Sequence, residues 1–273
     1  MKYQEAQPSA RLAEFVKCFW SLEGCGSSSE DPEPVVPDGS MEIIFNLADR
    51  FRRVHSDGTI EIQPANIVTG QMRSSVSIGP SGDVHLFGIR FQPAGAYPFF
   101  RFALSELTDR IEDLDAVWGP DIGSIADRLF ATNDFSRRAA MIEDILARRL
   151  SEQRQERYSI GTIVDAMTRE HGIRPVAMIA KEFGVGERNL ERQFNERIGL
   201  APKTFSRIVR FQRVLKMLES DEKTDFVEAS LSLAHGHFDQ PHMINDFRQF
   251  AGASPMAFLQ KSHRLTEFFT AGK

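Results

Sequence analysis

IAKEFGVGERNLERQFNERIGLAP, Ile179 to Pro202, and LAHGHFDQPHMINDFRQFAGASP, Leu233 to Pro255, are two copies of one pattern. Phe194, Gly199 and Pro202 match Phe247, Gly252 and Pro255, each 53 residues further on, and Leu190 likewise matches Met243. Each copy predicts a short helix, a tight turn, a second helix and a Gly-x-x-Pro end. That is a helix-turn-helix unit, whose second helix can enter a DNA major groove. Two such units predict a grip on two neighbouring stretches of groove.

In the first unit Ile179, Ala180, Leu190 and Phe194 are expected to be buried. The small Ala180 lets two helices cross closely, and Gly184 suits a turn position that needs positive φ. The helix expected over Glu187–Arg197 then presents polar residues. Arg188 and Asn189 lie near its start, where an entering helix meets base edges. Arg192 follows one turn later and could take a phosphate or a base. The second unit offers Gln240, His242, Asn245 and Arg248. Gln240 can pair bidentately with adenine, and His242 can donate to a base or a phosphate. The competing reading of these residues is an ordinary solvated face. The repetition of the unit weighs against it.

Asp239 and Ser254 sit where helix N-caps are expected. Asp239 is a cap and not a base reader, because DNA repels a free carboxylate. His235, His237 and His242 do not make a metal site: two lie in the turn, and no nearby cysteine completes a set. No metal and no cofactor are expected. A long helix from Pro202 to about Leu218 carries Arg207, Arg210, Arg213 and Lys216 at intervals of three. Some could face phosphates and others a second subunit.

The net charge of -5 does not by itself favour nucleic acid. Residues 1–159 carry 17 Lys+Arg against 24 Asp+Glu, whereas residues 160–273 carry 16 against 14. DNA contact through a local stripe fits this balance better than a strongly positive field. No apolar run approaches the ~18 residues of a membrane span. The N-terminus lacks a signal-peptide core. Cys18 and Cys25 could form a lone bridge, but a reduced, cytoplasmic chain is the expectation.

The first 100 residues change period. Phe15–Leu22, Met41–Leu47, Phe51–Val54, Thr59–Ile62, Ile67–Gly70, Ser75–Ile78 and Val84–Phe91 all predict short strands, separated by turn signals such as Pro37-Asp38-Gly39 and Gly79-Pro80-Ser81-Gly82. Helices are expected over Glu106–Val117, capped by Ser105, then over Ile122–Phe130 and Asp134–Arg149. The stripe Phe135, Ala139, Ile142, Ile145, Leu146 and Leu150 is either core or a dimer seam. Glu42 and Arg90 fall on facing strands with apolar neighbours, so they should pair or hold a polar ligand.

The C-terminal region, about 158–263, resembles the AraC/XylS family of bacterial transcriptional regulators. The resemblance rests on Ile179-Ala180 with Gly184, Leu190-x-Arg192-x-Phe194 and Gly199-Leu200-Ala201-Pro202 in the first unit. In the second it rests on Gly236-His237-Phe238-Asp239-Gln240, Met243, Phe247-Arg248 and Gly252-x-Ser254-Pro255. It implies that Arg188, Asn189 and Arg192 belong to one recognition helix, and Gln240, His242, Ile244 and Asn245 to the other. Ser232, Ala201 and Asn245 depart from the family pattern. Asn245 stands where Arg or Lys is common, which weakens the expected phosphate grip of the second unit. Pro37–Leu47 and Gly88–Ala96 resemble an N-terminal domain carried by a subset of these regulators.

The expected architecture is α+β in two domains. Residues 1–150 should form a β-rich, cupin-like domain with a helical tail, for sensing or dimerisation. Residues 158–268 should form an all-α domain with two helix-turn-helix units. Trp20, Glu42, Phe45 and Arg90 are candidate ligand residues. Expected partners are double-stranded DNA, a second copy of the chain, a small-molecule effector and RNA polymerase, with no membrane. A sequence-specific transcriptional regulator is the leading function. The alternative is a protein-interaction module that keeps the helical fold without strong DNA binding. An enzyme is disfavoured: the sequence has no Gly-rich phosphate loop, no nucleophile turn and no complete metal set.

Overall fold

The computed structural model describes residues 1–27, 31–151, 159–219 and 240–259. Among these, strand alternation builds two antiparallel sheets. The larger has the spatial order β1 (Lys2–Ala6), β2 (Val16–Gly24), β9 (Val84–Phe91), β4 (Glu42–Asn46), β7 (Asn66–Thr69) and β10 (Ile111–Asp113). The smaller runs β3 (Glu33–Val35), β8 (Val76–Pro80), β5 (Phe51–Val54) and β6 (Ile60–Ile62).

The period of two sorts the larger sheet into two faces. Ile43, Phe45, Phe87, Ile89 and Phe91 enter a core shared with helices α1 (Leu114–Trp118), α2 (Ile122–Phe130) and α3 (Phe135–Ser151). Glu42, Ile44, Leu86 and Arg90 take the opposite face and border a cavity completed by residues of the smaller sheet. In α3, Ala139, Ile142 and Leu146 are buried, with Phe135, Ile145 and Leu150 packed against them. The stripe is therefore core.

The cupin-like expectation is overturned. A cupin needs a closed sheet, whereas among the described residues β1 pairs only with β2, and β10 only with β7. At that second edge the chain leaves the sheet at once: Asp113 ends β10 and caps α1, its side chain accepting from the Asp115 N–H at 3.0 Å. Alternation foretells strands but not whether their edges meet.

Of the helix expected over Glu106–Val117 only the end forms, as α1 (Leu114–Trp118). A short 3-10 turn covers Leu104–Leu107, Asp109 adopts a φ of 61°, and Ile111–Asp113 joins the sheet. Asp109 is held in this left-handed conformation by Arg73, whose backbone N–H and Nε both donate to its carboxylate.

The C-terminal half is helical: α4 (Ser159–Arg169), α5 (Val176–Glu182), α6 (Glu187–Arg197), α7 (Pro202–Glu219), α8 (Gln240–Ala251) and α9 (Pro255–Leu259). Ile179, Leu190, Phe194, Phe205, Phe211 and Phe247 share one apolar cluster. Val36, from the β-rich half, belongs to the same cluster. The helix expected over Phe226–Ala234, the turn with His235 and His237, the cap Asp239, Ser232 and the segment 152–157 lie outside the described residues. The same holds for the C-terminal part of the helix expected beyond Leu259. No helix among the described residues is long and apolar enough to cross a membrane.

Candidate functional site

The first unit is built around a sharp turn between α5 and α6. Gly184 has a φ of 64°, and the Val185 N–H returns to the Ala180 carbonyl at 2.9 Å. Leu190 and Phe194 are buried, which fixes the rotation of α6 and turns Arg188, Asn189 and Arg192 outward, all exposed. Arg192 Nη2 donates to Asn189 Oδ1 at 2.8 Å, and Nη1 lies 3.6 Å from Glu196 Oε2. The outer face of α6 thus carries a cross-linked polar set around one guanidinium, with Arg188 at its N-terminal end.

In α8 the same logic holds. Met243 and Phe247 are buried, while His242, Asn245 and Arg248 are exposed; Gln240 is the first residue of the helix. Arg207 of α7 fastens this helix in place. Its Nε and Nη2 donate to Asp246 Oδ1 at 3.0 and 2.6 Å, and Nη2 also reaches Gln249 Oε1 at 2.6 Å. Sequence reasoning placed Arg207, Arg210, Arg213 and Lys216 at intervals of three along this helix, some toward phosphates and others toward a second subunit. The structure divides them. Arg210 is buried and donates to the Gly172 carbonyl, its pKa lowered chiefly by burial, whereas Arg213 and Lys216 are exposed.

A second candidate site lies in the β-rich half. A cavity enclosing about 900 Å³, its open mouth included, is walled by apolar side chains such as Ile44, Phe51, Ile67 and Ile78. Its polar lining includes Asp38, Glu42, Gln63 and Arg90. Glu42 stands directly opposite Arg90 in the β4–β9 register and accepts a hydrogen bond from its Nε. Asp38 Oδ2 is 3.9 Å from the same nitrogen. Burial opposes the Arg90 charge, but Glu42 and Asp38 outweigh it and hold the guanidinium above its ordinary pKa. Glu42 is pushed up by burial, against the pull of Arg90 and with Asp38 adding to the rise.

Of the four candidate ligand residues, Glu42 and Arg90 border the cavity. Trp20 is buried beside it in a cluster with Cys18, Leu22 and Phe51, and stacks on Tyr3. Phe45 points to the other face of the sheet. Sequence reasoning missed Asp38 and Gln63 as cavity residues. Asp38 was legible only as part of a turn, and Gln63 had no motif to mark it.

One loop joins the two sites. Val36, Pro37, Asp38 and Ser40 line the cavity. Gln212 of α7 donates to the Pro37 carbonyl at 2.6 Å, and Gln71 donates to the Gly39 carbonyl at 2.9 Å. Elsewhere Tyr97 donates its hydroxyl to Glu196 Oε1 of α6 at 2.9 Å, and Thr108 donates to the Gly199 carbonyl.

Residues 179–261 match a family model described as a helix-turn-helix domain, and residues 4–113 match a domain of unknown function, DUF6597. No curated protein matches the sequence. Among solved structures the chain is similar to ToxT from Vibrio cholerae. One ToxT structure aligns with 8% identity and a TM-score of 0.50, covering 88% of this chain and 98% of ToxT. An apo variant aligns with 10% identity and a TM-score of 0.49, covering 93% and 99%. An unsaturated-fatty-acid-bound form aligns with 9% identity and a TM-score of 0.48, covering 88% and 94%. At such identity the likeness concerns the fold alone.

Proposed function

We propose that the cavity of the β-rich half takes a small effector and that its occupancy alters how the helical half meets DNA. The chain is a sequence-specific DNA-binding transcriptional regulator of the AraC/XylS type. The observation that carries this function is the helix-turn-helix match over residues 179–261, centred on two helices whose buried residues leave polar faces outward. Arg188, Asn189 and Arg192 are our candidates for base and phosphate contact in the first unit. Gln240, His242, Asn245 and Arg248 are those in the second.

The effector reading draws its support from the loop Val36–Ser40. The loop is a wall of the cavity on one side and is bonded to α7 on the other. Helix α7 lies between the two recognition helices in sequence and is bonded to α8 through Arg207. A ligand that displaces the loop therefore acts on the helix that sets one unit against the other. A ligand shifts such an equilibrium only by its differential affinity for the two states.

Selection of bound sequences from random double-stranded DNA, at controlled salt, tests the function. The expected result is an enriched operator. Gln240→Ala is then expected to relax preference at one position by about 1–3 kcal/mol. Arg248→Ala is expected to weaken operator and scrambled DNA alike and to lower the salt slope by roughly one. No preference of the parent for any sequence would replace this reading with an interaction module.

A further inference from the structure

The polar lining of the cavity does not balance its charge. Two carboxylates, Asp38 and Glu42, face one guanidinium, Arg90, which is 2% exposed and already engaged by both. An anionic ligand would meet a cation that is taken and two acids that repel it. Lys17 also acts on Glu42, but it lies outside the lining and its influence is smaller than those of Arg90 and Asp38.

A second observation comes from the opposite chemistry. Gln63 lines the same cavity, is 6% exposed, and its side-chain amide makes no hydrogen bond among the described residues. Asn46, also in the lining, has both side-chain groups engaged, by the Asp49 carbonyl and the Ala48 N–H. The Gln63 amide is not among the buried polar atoms that lack a partner, so it faces the open space of the cavity, where a ligand group can meet it. The remaining walls are mostly apolar, among them Val35, Ile44, Phe51, Ile67, Val76 and Ile78.

Resting on the effector reading above, we infer that the cavity takes a compact apolar molecule with a cationic amine head. The ammonium sits against Asp38 and Glu42, the amide of Gln63 supplies a polar contact, and the hydrocarbon body fills the space between the sheets. A carboxylate head of the same skeleton is discriminated against by charge, and a hydroxyl head is intermediate.

Three probes with one skeleton test this on the full chain: 2-phenylethylamine, 2-phenylethanol and phenylacetate, titrated by calorimetry at neutral pH. The amine should bind at least about tenfold tighter than the carboxylate. Asp38→Asn keeps the side-chain oxygen that accepts the Ser40 N–H at 2.8 Å and removes one charge. It should reduce the amine-to-carboxylate ratio by about tenfold while leaving the alcohol nearly unchanged. Gln63→Leu should weaken the amine and the alcohol together and leave the ratio between those two nearly unchanged.

A carboxylate that binds as well as the amine, or a preference that survives Asp38→Asn, overturns the inferred class. DNA titrations with each probe keep this apart from the effector reading. Amine preference with unchanged DNA affinity leaves the class standing and sinks the effector reading. Carboxylate preference with altered DNA affinity does the reverse. Failure of all three probes to bind at millimolar concentration overturns the inferred class.

Discussion

At the scale of single residues, the buried ion pair sets the character of the β-rich half. Glu42 and Arg90 were legible together because each is a charge within an alternating apolar strand, and such a charge needs a partner. Asp38 was not, because a turn motif does not say where its side chain points. The energetic consequence is asymmetric. Removing Arg90 leaves two carboxylates near each other with no cation, and breaking a buried pair costs about 3–5 kcal/mol. Arg90→Met should therefore lose about that much in urea unfolding, whereas the double variant Arg90→Met, Glu42→Leu should recover much of it. Equal losses in both variants would mean that packing, and not charge, dominates at this position. The sign of the Glu42 shift adds a pH test. Its folded pKa is raised above the ordinary carboxylate value, so its contribution to stability is present at low pH and is lost as pH rises through that raised value. Glu42→Gln should flatten this part of the profile in unfolding midpoints measured across pH.

At the scale of elements, helix ends explain both what the sequence foretold and what it did not. Glu187–Arg197 was legible to its ends because a glycine-bounded turn precedes it and apolar residues recur at helical spacing along it. The first part of the helix expected over Glu106–Val117 fails at Asp109, whose φ of 61° goes with its bonds to Arg73, a partner 36 residues away. No local pattern carries that information. Two glycines that follow helices separate conformational strain from crowding. Gly184 has a φ of 64° with open space where a Cβ would stand, whereas at Gly172, with a φ of 66°, a Cβ would meet the Ser206 carbonyl oxygen at 2.2 Å. Gly184→Ala should lose about 1–2 kcal/mol, the cost of the left-handed backbone alone. Gly172→Ala should lose clearly more, because α7 must move away from the end of α4 to admit the methyl group. Matching losses in denaturant titrations would show that α7 gives way freely.

At the scale of the whole molecule, the β-rich and helical halves are joined by a seam of apolar and hydrogen-bonded contacts. Val36 is buried in the helical core, and Tyr97, Thr108 and Gln212 each bond across to the other half. The sequence foretold two units of different periodicity but not this seam, since its members, Val36, Tyr97, Thr108 and Gln212 and the backbone carbonyls they meet, are scattered along the chain with no local pattern to mark them. Both tryptophans of the chain, Trp20 and Trp118, lie in the β-rich half, so tryptophan fluorescence reports that half alone. A ligand present at about 100 times its Kd stabilises the state it binds by about 2.7 kcal/mol. In the proposed function operator DNA contacts the helical half; it should nevertheless raise the tryptophan-detected melting midpoint of the parent chain, as expected of two halves coupled through this seam. In the triple variant Tyr97→Phe, Thr108→Val, Gln212→Leu, calorimetry should resolve two transitions. Operator DNA should then raise only the one that tryptophan fluorescence does not follow. If the fluorescence midpoint of the variant still rises with DNA as far as the parent's does, these three bonds do not carry the coupling, and the apolar contact around Val36 is the next element to cut.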